Sequence, residues 1–186
     1  MKNLLTKALN ETTGFITHND LDGIMSACYL HHVTKKPLTG ICEGLGGKGK
    51  MTIFAQETTI PFLQEQLYID LSVTTPGLWS IDHHLSPLLD SCKINANLFH
   101  EVTAIENHQP LNNLMWLMEL FEEETYAMTS PQLRLLSIPD GVYRNSYCYP
   151  RNFSEWIERT GMELVAEAIE IPDLTRPNYH TNHFCQ

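Results

Sequence analysis

The stretch THNDLDGI, residues 17 to 24, places His18, Asp20 and Asp22 at alternate positions and follows them with Gly23. Groups held that closely repel one another or share a cation, because buried charge is tolerated only when it is paired or metal-bound. The pattern lies between the apolar run GFIT and the helix-patterned DGIMSACYLHHV, where a strand should end and a helix begin. Two further apolar runs finish in the same chemistry, EQLYIDLS in Asp70 and GLWSIDHH in Asp82, His83 and His84. Oxygen and imidazole donors without thiolates suit Mn²⁺, Mg²⁺ or Fe²⁺ better than a closed structural zinc site, and four or more carboxylates exceed the needs of one ion. Two ions sharing a bridging aspartate is the economical arrangement, the device by which phosphatases and nucleases activate water and clamp phosphoryl oxygens.

Positioning those groups falls to short apolar runs that alternate with helical patterns. GFIT and KPLTGICE read as strands, the runs ending at Asp70 and His84 as two more, and DGIMSACYLHHV as a helix with Ile24, Ala27, Cys28 and Leu30 on its apolar face. LNNLMWLMELFEEE reads as an amphipathic helix with Leu114, Leu117, Met118 and Phe121 on one side, and Met115 and Trp116 as core packing. LRLLSIPDG reads as a helix stopped by Pro139, and NFSEWIERTGMELVAEAIEI as two short helices parted at Gly161 with Ser154 as a cap. The alternation predicts an α/β fold, a mainly parallel sheet of about five strands with helices on both faces, spanning residues 1–186 as one domain. In such sheets ligands bind beyond the carboxyl ends of the strands, so the three polar strand ends should converge on one edge.

Composition narrows the partners. With 42% hydrophobic and 18% charged residues the chain is ordinary for a globular protein, and its formal net charge of −10 argues against long duplex nucleic acid. Five cysteines form an odd count without CxxC spacing, so neither a disulfide framework nor a zinc knuckle is indicated, and a reducing cytoplasm is expected. No run is long enough to span a bilayer, so no membrane partner is expected, and oligomeric state leaves no mark in the sequence.

HNDLDG followed by IDLS and then IDHH resembles the DHH phosphoesterase family, which includes RecJ-type exonucleases, nano-RNases, cyclic-dinucleotide phosphodiesterases and manganese pyrophosphatases. The resemblance covers roughly the first 145 residues, and the single-residue spacing of His18-x-Asp20-x-Asp22 is closest to the RecJ-like branch. It implies two Mn²⁺ ions, or Mg²⁺ in their place. His18, Asp20 and Asp70 would hold one, and Asp22, Asp70, His83 and Asp140 the other, with Asp70 as the bridge. It further implies that His84 lies near the scissile phosphate and that Asp82 orients His83. Family members usually carry a second, C-terminal domain that grips substrate, which this chain is expected to lack. The glycine-rich GLGGKGK lies before DHH and is not that motif, though Lys48 and Lys50, like Arg144 and Arg151, are candidate phosphate contacts. The function implied is a phosphodiesterase for a small nucleotide or short oligonucleotide. A phosphomonoesterase or pyrophosphatase, and a nonenzymatic nucleotide- or metal-binding protein on the same fold, are the alternatives.

Overall fold

The computed structural model describes residues 1–44, 52–84, 91–99, 111–121, 128–142, 146, 148–161 and 166. The chain divides into two compact units, Met1–Thr103 and Ala104–Gln186. Lys48, Lys50 and Arg144 lie outside the described residues, as does the second of the two helices expected around Gly161.

The first unit is α/β. Helix α1 (Lys2–Glu11) precedes β1 (Gly14–His18), α2 (Leu21–Thr34), β2 (Leu38–Glu43), β3 (Thr52–Ala55), α3 (Ile60–Gln64), β4 (Gln66–Ile69), β5 (Ser80–Ile81), β6 (Lys93–Ile94) and the single turn α4 (Ala96–Phe99). The sheet has six strands, not about five, in the order β3-β2-β1-β4-β5-β6; every pairing is parallel except that of β2 with β3. The two strands that the sequence reading passed over are the antiparallel edge β3 and the two-residue β6. One follows a glycine-rich segment and the other is too short to show alternation. All four residues of β4 and the first four of β1 are buried. Successive side chains in a strand point to opposite faces, so the sheet is covered on both faces there. Ile16, Cys42, Tyr68 and Leu71 form one buried cluster on this sheet.

Helix α2 buries Asp22, Gly23, Ser26, Ala27 and Leu30, whereas Ile24 is exposed at 37% and Cys28 is exposed too. Ala27 and Leu30 are buried as read, but the inward face is also partly polar, because it looks onto the ends of the strands, so the apolar stripe placed Ile24 and Cys28 wrongly.

The second unit holds α5 (Asn113–Leu120), α6 (Ser130–Leu136), a 3₁₀ turn (Pro139–Gly141) and α7 (Pro150–Thr160). Helix α5 is buried at every position except Glu119, so it is a core helix and not the amphipathic one expected; Met115, Trp116 and Met118 are core as read. Helix α6 ends at Leu136 with Ser137 as its cap, and Pro139 opens the 3₁₀ turn instead of stopping the helix. Helix α7 starts with Pro150 in its first turn, where its missing N–H costs nothing, and ends at Gly161 with φ 69°. Ser154 lies inside α7 and caps nothing. No helix among the described residues is long and apolar enough to cross a membrane.

Candidate metal centre

Strands β1, β4 and β5 are adjacent and parallel, so their carboxyl ends share one edge of the sheet. The strand order runs outward in opposite directions from β1 and β4, and the crevice left by such a reversal is where open α/β sheets bind ligands. His18 ends β1 and Asp70 directly follows β4, so the two flank that reversal.

Asp20 is the N-cap of α2: its Oδ1 accepts from the Gly23 N–H at 2.9 Å, while its Oδ2 lies 2.6 Å from His18 Nδ1. The other ring nitrogen of His18 is 3.2 Å from the Gly44 carbonyl. In the first turn of α2, Asp22 accepts from the Ser26 hydroxyl at 3.3 Å, the i,i+4 geometry of a helix face. Gly23 explains how the helix start comes so close to the strand end. A Cβ there would stand 2.7 Å from the His18 carbonyl oxygen and 2.7 Å from Thr17 Oγ1.

Asp70 has φ 56°, a left-handed backbone uncommon outside glycine, which aspartate tolerates better than most residues. Its N–H donates to the Ile81 carbonyl at 2.9 Å, which ties it to β5. Sparsely populated backbone at a cleft is a mark of functional sites. His83 reaches in from the neighbouring strand end, its Nε2 3.8 Å from Asp22 Oδ2 and 3.7 Å from Asp70 Oδ1. Asp22, Asp70 and His83 are 1%, 4% and 7% exposed.

His84 lies beside His83, the ring centroids 4.3 Å apart and its Nδ1 3.8 Å from Asp70 Oδ1. The Asp82 carboxylate lies 2.7 Å from its Nδ1 and accepts its backbone N–H at 3.1 Å, an Asx turn, while Ser72 donates to the second oxygen of Asp82. Asp82 therefore holds His84 directly, and the charge of His83, the partner that the resemblance implied, also acts on it. Burial pushes the Asp82 carboxyl up, but the hydrogen bond from His84, the charges of His84 and His83 and the Ser72 hydroxyl outweigh it and hold the group below the usual carboxylate range.

His18, Asp20 and Asp70 each offer a ligand atom, all within 4.8 Å of one another, and Asp70, His83 and His84 do the same. Asp70 is common to both groups. This donor set of carboxylates and imidazoles, with two of its carboxylates buried beside a single imidazole, fits hard or borderline divalent cations. Cys42 does not join it. Burial pushes its thiol up, and it packs with Ile16, Tyr68 and Leu71 as a small apolar side chain.

In the second unit Asp140 is exposed within the 3₁₀ turn and has φ 52°. That turn is anchored by the buried Asn112, which caps α5 through Met115 N–H at 2.9 Å and donates to the carbonyls of Leu136 at 2.6 Å and Pro139 at 3.3 Å. Arg151 is exposed on α7 and its Nε lies 3.0 Å from Glu155 Oε1, the ordinary i,i+4 pair of a solvated helix face. Cys28, Cys42 and Cys92 are free thiols, whereas Cys148 is disulfide-bonded, a bond that the cysteine spacing did not suggest. Sequence reasoning also missed Ser26, Ser72 and Asn112. Only Ser26, at i+4 from Asp22, carried a usable signal.

The chain matches no family model, no curated protein and no solved structure.

Proposed function

We propose that the chain is a two-metal phosphohydrolase of DHH type, a phosphodiesterase acting on a small nucleotide or short oligonucleotide. The observation that carries this reading is the meeting of His18, Asp20, Asp22, Asp70, His83 and His84 at one sheet edge, beside the reversal of strand order, with Asp70 common to two donor groups. In this reading His18, Asp20 and Asp70 hold one ion, and Asp22, Asp70 and His83 hold the second. Bound divalent cations would activate water for attack on phosphorus and neutralise the phosphoryl oxygens. Asp22 and Asp70 are already desolvated and set by backbone and helix, so binding requires little reorganisation of the ligands. The Asp82 carboxylate can only accept, so the His84 proton sits on Nδ1 and the ring presents Nε2 toward substrate. Ser72 and the depressed Asp82 pKa keep that carboxylate ionised and the ring oriented. His84, half-exposed, is the group that would meet a phosphoryl oxygen as charge develops there.

The test is product release by the purified chain from di- to pentanucleotides, cyclic dinucleotides and pyrophosphate, with Mn²⁺ and with chelator. Metal-dependent release from a phosphodiester is expected, with long strands turned over more slowly because an acidic chain offers few phosphate contacts. Mn²⁺ binding without turnover on any of these substrates would overturn the enzymatic reading and leave a metal-binding protein.

A further inference from the structure

Two neighbouring histidines meet at this centre: His83 Nε2 lies 3.8 Å from Asp22 Oδ2 and 3.7 Å from Asp70 Oδ1, while His84 Nδ1 lies 2.7 Å from Asp82 Oδ1 and 3.8 Å from Asp70 Oδ1. A rotation of the peptide between them would carry both rings away from these carboxylates, because the backbone sets the direction in which each ring leaves it. The sheet does little to prevent this. Strand β5 is two residues long, and its pairing with β6 ends at Ile81 opposite Ile94, with the Asp82 N–H donating to the Ile94 carbonyl at 3.1 Å. Beyond that point side-chain amides take over. Asn97 Nδ2 donates to the His83 carbonyl at 2.6 Å and Asn95 Nδ2 donates to the His84 carbonyl at 2.8 Å. Asn95 is itself fixed, since its Oδ1 accepts from the N–H groups of Asn97 at 2.8 Å and Leu98 at 3.4 Å at the start of α4. Both asparagines are buried, at 3% and 0% exposure, and the parallel pairing of β6 with β5 delivers them in register with the histidines.

We propose that Asn95 and Asn97 are positioning residues that pin two successive peptide groups and so set both histidine rings about Asp70. The amide suits the pair because it supplies a donor toward the histidine carbonyls and, at Asn95, an acceptor toward α4 from two separate atoms, whereas an ionised carboxylate offers no donor. The proposal rests on His83 being a ligand, and the experiment separates the two. In the full chain, Asn97→Asp keeps the shape and removes the donor, while Asn95→Asp keeps the capping oxygen for α4 and removes the donor to His84. Ring ¹⁵N and ¹H signals of the histidines are recorded on metal-free protein, and Mn²⁺ affinity is measured by calorimetry. The expected result is displaced His83 and His84 ring signals with His18 unchanged, and Mn²⁺ affinity lowered about 10-fold or more, the usual effect of removing support from a ligand. Unchanged His83 and His84 signals in a folded variant would overturn the proposal, as would failure of both variants to fold, which would make the pair a folding element. If the wild-type chain binds no Mn²⁺, the metal reading fails while the ring signals still decide the positioning role.

Discussion

Replacing Gly23 by alanine would put a methyl group 2.7 Å from the His18 carbonyl oxygen and 2.7 Å from Thr17 Oγ1. Neither atom can easily give way. The first is main chain at the end of β1, and the second belongs to a fully buried residue whose hydroxyl is directed at the Ile69 carbonyl, 3.4 Å away. Ordinary contact begins at 3.4 Å, so the start of α2 must retreat by about 0.7 Å. Overpacking of this kind costs about 1–3 kcal/mol, offset by roughly 1 kcal/mol because alanine is the better helix former, which leaves a net loss of about 0–2 kcal/mol. The proposed metal centre tolerates far less, since ligand distances hold within about 0.2 Å and disturbing the support of its ligands costs about 10–100-fold in metal affinity. Asp20 and Asp22 ride on the displaced turn, so Gly23→Ala should melt within a few degrees of wild type yet bind Mn²⁺ about 10–100-fold more weakly. Calorimetric titration beside a thermal melt reads both, with Cys28→Ala on the exposed face of α2 as the control. Mn²⁺ affinity within about threefold of wild type would refute the idea that this glycine sets the ligand positions.

Asp70→Asn should fold, because asparagine also accepts the left-handed backbone. Wild type should gain about 2.7 kcal/mol of stability when Mn²⁺ is 100-fold above its Kd, and this variant should lose most of that gain in thermal melts. The folded-state pKa of Asp82 lies below its unfolded value, so its stabilisation is complete above about pH 4 and is lost as pH falls through the lower folded value. Asp82→Asn should therefore cost stability at neutral pH and less below about pH 4; denaturant midpoints that differ from wild type equally at neutral pH and about pH 3 would contradict this. Asn112→Ala removes a cap and leaves the Leu136 and Pro139 carbonyls without their donor, and should destabilise by about 2–4 kcal/mol in urea unfolding.

What the sequence made legible was chemistry with a charge signature. His18, Asp20 and Asp22 alternate at the end of an apolar run, and the same rule marks Asp70 and His83, so convergence at the carboxyl edge followed from a parallel sheet alone. Where a polar residue works through a neutral amide or hydroxyl, as Ser72, Asn95, Asn97 and Asn112 do, nothing in its type separates it from a solvated loop residue. The inner face of α2 misled for a related reason: Asp22 and Ser26 occupy positions that an apolar stripe would claim, so periodicity pointed to Ile24 and Cys28 instead. The direct hold of Asp82 on His84 was not legible either, because a motif carries order but not the direction in which each side chain leaves the chain.

The left-handed backbone at Asp70 gives mutational drift a direction. Asparagine and glycine suit that conformation, and both discard the carboxylate. Glutamate would keep the charge, but it is less at ease there and projects the carboxylate one methylene further. The replacements that the main chain accepts most readily are thus the ones that remove the carboxylate shared by the two donor groups of the proposed centre. Descendants of this chain could keep the architecture long after losing the chemistry, and the identity of residue 70 would tell the two apart where overall shape would not.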